Sequence, residues 1–251
     1  MRIFVYIAYK GTHFHGWQIQ ENAVSVQKAI TDALCLLLRD NTMSIVGSGR
    51  TDTGVHAKEQ VFHTDVPDST QLDKLKYQLN GILPESVVVN KIIQVHSEAH
   101  ARFDATSRSY EYHLLTDKSP FGRDENYYYP IALNFEAMNK AASLLLGTHD
   151  FQSFSKVKTE VNNFICTIER AEWQVLEDKA IFHISANRFL RGMVRAIVGT
   201  LLLVGEGKIL SQEVTEIIDK RSRSEAGRAV PAQGLYLCRV EYPESIIKLH
   251  E

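Results

Sequence analysis

The chain has 251 residues, with 28 lysines and arginines against 30 acids, 44% hydrophobic and 23% charged residues, the balance of an ordinary globular protein. This excludes disordered, collagen-like and coiled-coil chains, and at roughly 100–200 residues per domain it allows one large domain or two small ones. A net charge of −2 supplies no global field for a polyanion, so a nucleic-acid site has to be a local patch.

Residues 2–9 alternate apolar and polar as a strand does, without the apolar run and cleavage site of a secretory signal. Ser25 is placed to cap a helix running to about Leu38, with Val26, Ile30, Leu34, Leu37 and Leu38 at helical spacing. Residues 43–47 and 60–66 read as strands around a glycine-rich loop. Residues 71–80 read as a helix ended by Gly81, and 86–95 as a β-branched strand. The first hundred residues thus run β-α-β-β-α-β. The remainder repeats that order: strand 108–116, helix 135–146 ended by Gly147, strands 166–176 and 180–186, helix 188–204, a short extra helix 211–220, and strand 235–241. The pattern predicts an α+β protein of two ferredoxin-like halves, 1–102 and 103–251, each an antiparallel sheet with helices on one face. An active-site cleft is expected where the halves meet.

Cys35, Cys166 and Cys238 are odd in number and far apart, with no CxxC pair. They point to a reducing cytoplasm and to neither a disulfide framework nor a thiolate metal site. The longest uncharged apolar stretch, 196–205, is about half of what a bilayer span requires.

The sharpest local feature is GSGRTDTGVHA at residues 47–57. Glycines at 47, 49 and 54 bracket Arg50, Thr51 and Asp52, which marks a tight loop holding a guanidinium and a carboxylate two residues apart. It fits a phosphate-cradling loop poorly, because Asp52 and Val55 stand where glycine or lysine is needed. Asp52-Thr53-Gly54 matches the tripeptide of aspartic proteases, yet the sequence holds no second copy to share the proton, so that a dimer would have to supply it, and Arg50 favours the ionised carboxylate. The plain alternative is a surface ion pair of little consequence, although loops dense in glycine and charge are more often sites than scaffolding.

The predicted helix 188–204 places Arg188, Arg191 and Arg195 at i, i+3 and i+7 on one face, and the stretch from Lys179 to Gly205 has four basic residues and no acid. Such a face is either solvated or built for phosphate. Cations at a helix N-terminus oppose its dipole and gain from an anionic partner. Lys220, Arg221, Arg223 and Arg228 form a second cluster, offset only by Glu225. Tyr110 and Tyr112 alternate on a strand after Arg102 and Arg108, a pattern suited to stacking bases and holding their backbone, with one of the two tyrosines as core. His13 and His15 lack a third ligand at a recognisable spacing, so no metal is expected. No Ser-His-Asp arrangement and no HExxH motif is visible.

The segment Gly49–Ala57 resembles the GRTDxGVHA signature of the tRNA pseudouridine synthase A family. The resemblance extends to YKGTHFHGWQIQ at Tyr9–Gln20, HARFDATSRSYEYHL at His100–Leu114, HDFQSFSK at His149–Lys156, NRFLRGMVRAIVG at Asn187–Gly199 and GLYL at Gly234–Leu237. It implies a cytoplasmic homodimer that binds tRNA and isomerises uridine to pseudouridine in the anticodon stem-loop, typically at positions 38, 39 and 40, with no cofactor. By the same resemblance Asp52 is the nucleophile, Tyr110 stacks on the uracil, and Arg195 pairs with the aspartate. Arg50 is expected to hold the RNA backbone or the flipped-out state, and Lys58, Arg102, Arg188 and Arg191 are candidates for RNA contacts. Lys10 stands where the family commonly has Asp, Thr53 where Ala is frequent, and 155–170 is a loop of variable length. The rival reading is a non-catalytic tRNA-binding protein on the same fold. The joint presence of Asp52, Tyr110 and Arg195 speaks against it, because a carboxylate in a binding groove repels phosphate.

Overall fold

A computed structural model describes residues 1–156 and 163–246. The chain forms two compact units, Met1–Thr106 together with the chain from Leu237 on, and Ser107–Tyr236. The first contains β1 (Arg2–Tyr9), α1 (Val26–Leu38), β2 (Val46–Gly47), β3 (His56–Asp65), α2 (Leu72–Ile82) and β4 (Val87–Gln94). The second contains β5 (Ser107–Leu115), β6 (Tyr127–Tyr128), α3 (Phe135–Ser143), β7 (Gly147–Asp150), β8 (Ile165–Val175), β9 (Lys179–Ala186), α4 (Met193–Gly205) and α5 (Glu213–Lys220). Strand β10 (Leu235–Glu241) ends the series. The architecture is α+β.

In the first unit the strand order is β4-β1-β3-β10, with β2 paired to β3. Strand β1 runs antiparallel to both neighbours, so that Val5 faces Phe62 on one side and Ile92 on the other. Ile3, Phe4 and Val5 are all fully buried, which means that both faces of β1 are covered. Helix α1 begins as its sequence predicts, with the Lys28 amide donating to Ser25 Oγ at 3.2 Å; it buries Val26, Ile30, Ala33 and Leu34. Helix α2 runs through Gly81, contrary to expectation, and stops at Ile82. The reason is Pro84, which forces the preceding Leu83 into extended backbone (φ −68°, ψ 150°). Strand β3 starts four residues earlier than its apolar alternation suggests. Polar His56, Lys58, Glu59 and Gln60 hide a stretch whose backbone already pairs with β1 at Tyr9–Ala57. The strand expected at 43–47 shrinks to Val46–Gly47.

In the second unit the order is β5-β9-β8-β7, all antiparallel, with the two-residue β6 parallel to β5. Tyr112, Leu114, Phe182 and Ile184 fill its core with Met193, Ile197 and Leu201 of α4. Helix α3 ends at Ser143, three residues short of expectation, and β7 follows from Gly147. That strand has no apolar alternation to betray it, being GTHD. Among the described residues no helix is long and apolar enough to cross a membrane.

Candidate active site

The loop between β2 and β3, in the first unit, is tied down along most of its length. The Ser48 amide donates to Val61 O at 2.7 Å, Gln60 Nε2 donates to Gly49 O at 3.0 Å, and Gln60 Oε1 meets Ser48 Oγ. Gln60 itself is fully buried. Thr51 is buried, its hydroxyl 2.8 Å from Tyr9 Oη, and its carbonyl accepts from the Trp17 amide at 3.2 Å. The Val55 amide closes the turn onto Asp52 O at 3.1 Å. One residue on, buried His56 accepts the Gly11 amide at Nδ1, 3.1 Å. Segment 11–17 lies so close to the loop that a Cβ on Gly16 (φ +87°) would stand 2.5 Å from Thr51 O, and one on Gly11 2.0 Å from Val55 O. Each buried hydrogen bond contributes about 1 kcal/mol, and more is lost when a buried partner is left unsatisfied. The result is a half-exposed carboxylate whose backbone cannot wander: Thr51 is buried, Asp52 partly open, Arg50 and Thr53 exposed.

The residues that hold this loop are the ones sequence reasoning missed as site residues. Tyr9, Gly11, Gly16 and Trp17 appeared only as letters of a motif, and Gln60 looked like the polar half of an alternating strand. No local signal marks Gln60, which follows Lys58 and Glu59 in a polar stretch of β3. Lys58 is exposed on β3, and Arg102 is exposed in the loop before β5.

In the second unit Tyr110 and Tyr112 separate cleanly. Tyr112 is fully buried and donates its hydroxyl to Pro231 O at 2.8 Å; burial pushes its pKa far above the usual phenol value. It is the core tyrosine. Tyr110, opposite Ile184 on β9, is half-exposed, its ring 5.1 Å from Phe189 and edge-on to it. Arg195 lies in the first turn of α4. Its Nε donates to Val230 O at 2.6 Å, and the Val230 amide returns a bond to Arg195 O at 3.2 Å.

Arg188 and Arg191 do not lie on that helix. Helix α4 begins at Met193, not at 188, and Gly192 before it has φ +74°, a left-handed conformation in which a helix cannot continue. The preceding chain is an irregular turn. The Lys156 amide donates to Arg191 O at 2.9 Å, the Met193 amide to Leu190 O at 3.1 Å, and an Arg108 guanidinium nitrogen to Asn187 O at 2.9 Å. The three arginines therefore share no helical face, and the dipole argument applies to Arg195 alone. Arg191 is exposed and Arg188 half-exposed. The second basic cluster is largely engaged: Lys220 pairs with Glu225 at 2.8 Å, Arg221 with Asp150 at 3.3 Å, and Arg223 donates to Ala226 O at 3.1 Å.

Within the segment 155–170, expected as a variable loop, residues 165 onward form β8, and 157–162 lie outside the described residues. His13 and His15 are exposed on either side of buried Phe14. Among the described residues, no three His, Cys, Asp or Glu gather where a metal ion would sit.

Comparison with known proteins identifies a family. The pattern of a family described as tRNA pseudouridine synthase matches residues 5–104 and 141–243. A tRNA pseudouridine synthase A of Bacteroides fragilis is 47% identical over 249 residues, covering 98% of this chain and 98% of its own. That of Bacteroides thetaiotaomicron is 46% identical over 248 residues, covering 98% and 92%. One from Bacillus subtilis is 40% identical over 245 residues, covering 96% and 99%.

Proposed function

Because the chain belongs to the tRNA pseudouridine synthase family, we infer that it isomerises uridine to pseudouridine in tRNA, acting on the anticodon stem-loop at positions 38, 39 and 40. No cofactor is required by the chemistry. The N1–C1′ bond of the nucleotide breaks, the uracil turns, and a C5–C1′ bond forms while C5 loses its proton and N1 gains one.

In this reading Asp52 is the nucleophile. The observation that carries it is the loop around it: a partly open carboxylate sits next to a buried threonine whose hydroxyl and carbonyl are both bound. A carboxylate held this way has already lost the freedom that would otherwise add to the barrier. Tyr110, half-exposed beside Phe189, stacks on the uracil, and Arg195 is the cation that keeps the aspartate ionised. Arg50, Lys58, Arg102, Arg188 and Arg191 contact the RNA. A base in a paired stem must leave its stack to reach a carboxylate, and Arg50, exposed two residues before Asp52, is placed to hold that state. The same reading takes the protein as a cytoplasmic homodimer of two ferredoxin-like halves, with the last strand returning to the first half rather than closing the second.

Asp52→Asn tests the assignment. Pseudouridine formation on tRNA transcripts is expected to vanish while tRNA affinity stays near that of the parent protein. Parental turnover in the variant removes Asp52 as the nucleophile.

A further inference from the structure

The loop between β4 and β5, wholly within the first unit, presents a large aromatic side chain to solvent on a rigid mount. Phe103 is 73% exposed. Burying such a ring is worth a few kcal/mol, so leaving it out on an otherwise well-tied loop needs a reason.

The mount is built from hydrogen bonds and rings. His100 Nδ1 accepts the amides of Arg102 and Phe103 at 3.1 and 3.3 Å. Asp104 closes the turn, its carboxylate accepting the His100 amide at 2.7 Å and its own amide donating to His100 O at 3.1 Å. Ala101 is clamped from both sides: its amide donates to His63 Nδ1 at 3.0 Å, and its carbonyl accepts Tyr242 Oη at 2.6 Å. Burial and the neighbouring His100 hold the His63 pKa down to about 4, so at neutral pH its Nδ1 remains an acceptor. A run of rings leads outward from the core: Phe4 to His63 at 6.4 Å, His63 to His100 at 4.6 Å, and His100 to Phe103 at 4.2 Å.

The Arg102 guanidinium stands 5.6 Å from the Phe103 ring centroid, and Arg102 is itself exposed. A largely exposed aromatic ring with a guanidinium over it, on a loop that loses little entropy when a ligand arrives, is the equipment that reads unpaired bases. We propose that Phe103, flanked by Arg102, is a stacking platform for a nucleobase of the RNA substrate. This rests on the tRNA reading above and adds a contact outside the residues assigned to chemistry.

The test measures binding of a tRNA transcript to the full-length protein by anisotropy over a range of salt, for the parent chain, Phe103→Ala and Phe103→Trp. Loss of one base stack is expected to weaken Phe103→Ala by about 5- to 100-fold, with the salt slope, melting temperature and sedimentation mass unchanged. Phe103→Trp is expected to keep the affinity and to lose fluorescence on binding RNA; the native Trp17 and Trp173 are buried and supply a steady background. Parental affinity in Phe103→Ala, or a tryptophan at 103 that RNA does not quench, overturns the proposal. So does a fall in mass of Phe103→Ala, which would make the ring a contact with a second copy of the chain. A parent protein that neither binds nor modifies tRNA sinks the functional reading itself, a result distinct from all of these.

Discussion

The aspartate loop of the first unit and the arginine segment 187–195 of the second carry most of the proposed chemistry, yet they are held by different means. Residues 47–57 are tied in by side chains, Tyr9 on Thr51 and Gln60 on Ser48 and Gly49 from outside the segment and His56 on the Gly11 amide from within it. Residues 187–195 are held chiefly by backbone, through the bonds at Leu190, Arg191 and Val230. Behind them, α4 packs so closely on 227–228 that a Cβ at Gly199 would lie 1.8 Å from Arg228 O. A loop gripped by side chains can be loosened one hydrogen bond at a time while the fold survives. A segment held by backbone fails only when the main chain is moved, so its side chains can be changed without loosening it.

The largest effect expected from this contrast is at Gly199. Gly199→Ala forces α4 away from Arg228, an overpacking that costs about 1–3 kcal/mol and more if the backbone cannot yield. A lowered melting temperature is expected, together with loss of the paired bonds between Arg195 and Val230. A melt equal to the parent's would show that close approach does not hold this region.

Next comes Gln60→Leu, which keeps the volume and removes the contacts to Ser48 Oγ, Gly49 O and the Val61 amide in a place closed to water. Its cost in denaturant unfolding is expected to be about 1–3 kcal/mol. Turnover should fall further than tRNA affinity, since the change loosens the carboxylate and leaves in place the cations proposed to contact RNA. Equal losses in the two would mean that Gln60 supports the unit as a whole rather than the loop.

The contrast also explains what was legible beforehand. Strand β1, the Ser25-capped α1 and strand β9 followed from periodicity because local pattern and burial agree there. The start of β3 and all of β7 did not, since their residues are polar and only pairing with a distant strand makes them extended. The aspartate loop showed itself by its glycines, but Tyr9 and Gln60 did not show themselves as its holders, because nothing local links positions 9, 51 and 60. Periodicity makes α4 too long because RFLRGMVR keeps helical spacing right through a glycine whose φ is +74°. Tyr110 and Tyr112 share one face of β5 by the period of two; only packing tells them apart, with Tyr112 fully buried and Tyr110 half-exposed.

Tyr9→Phe is a milder probe of the same grip. It removes one buried hydroxyl contact to Thr51 and keeps the ring, so a loss of about 1 kcal/mol is expected. Single-turnover rates should drop by less than in Gln60→Leu. An undiminished rate at full stability would place the Thr51 bond outside the catalytic geometry.

The smallest effect on stability, and the clearest separation of the two regions, is expected at Arg188 and Arg191. Both precede the helix and neither is buried, so Arg188→Gln and Arg191→Gln should shift unfolding by no more than about 0.5 kcal/mol. If each neutralises one phosphate, binding weakens and the slope of log K against log salt shrinks by about 0.7–0.9 per residue, depending on whether the contacted strand is single or paired. Arg195 should behave otherwise: its Nε is bound to Val230 O, and Arg195→Gln disturbs the first turn of α4 as well as any charge it offers. A pair of flat salt slopes at 188 and 191 would take the turn out of the RNA surface and leave α4 with a purely positioning part.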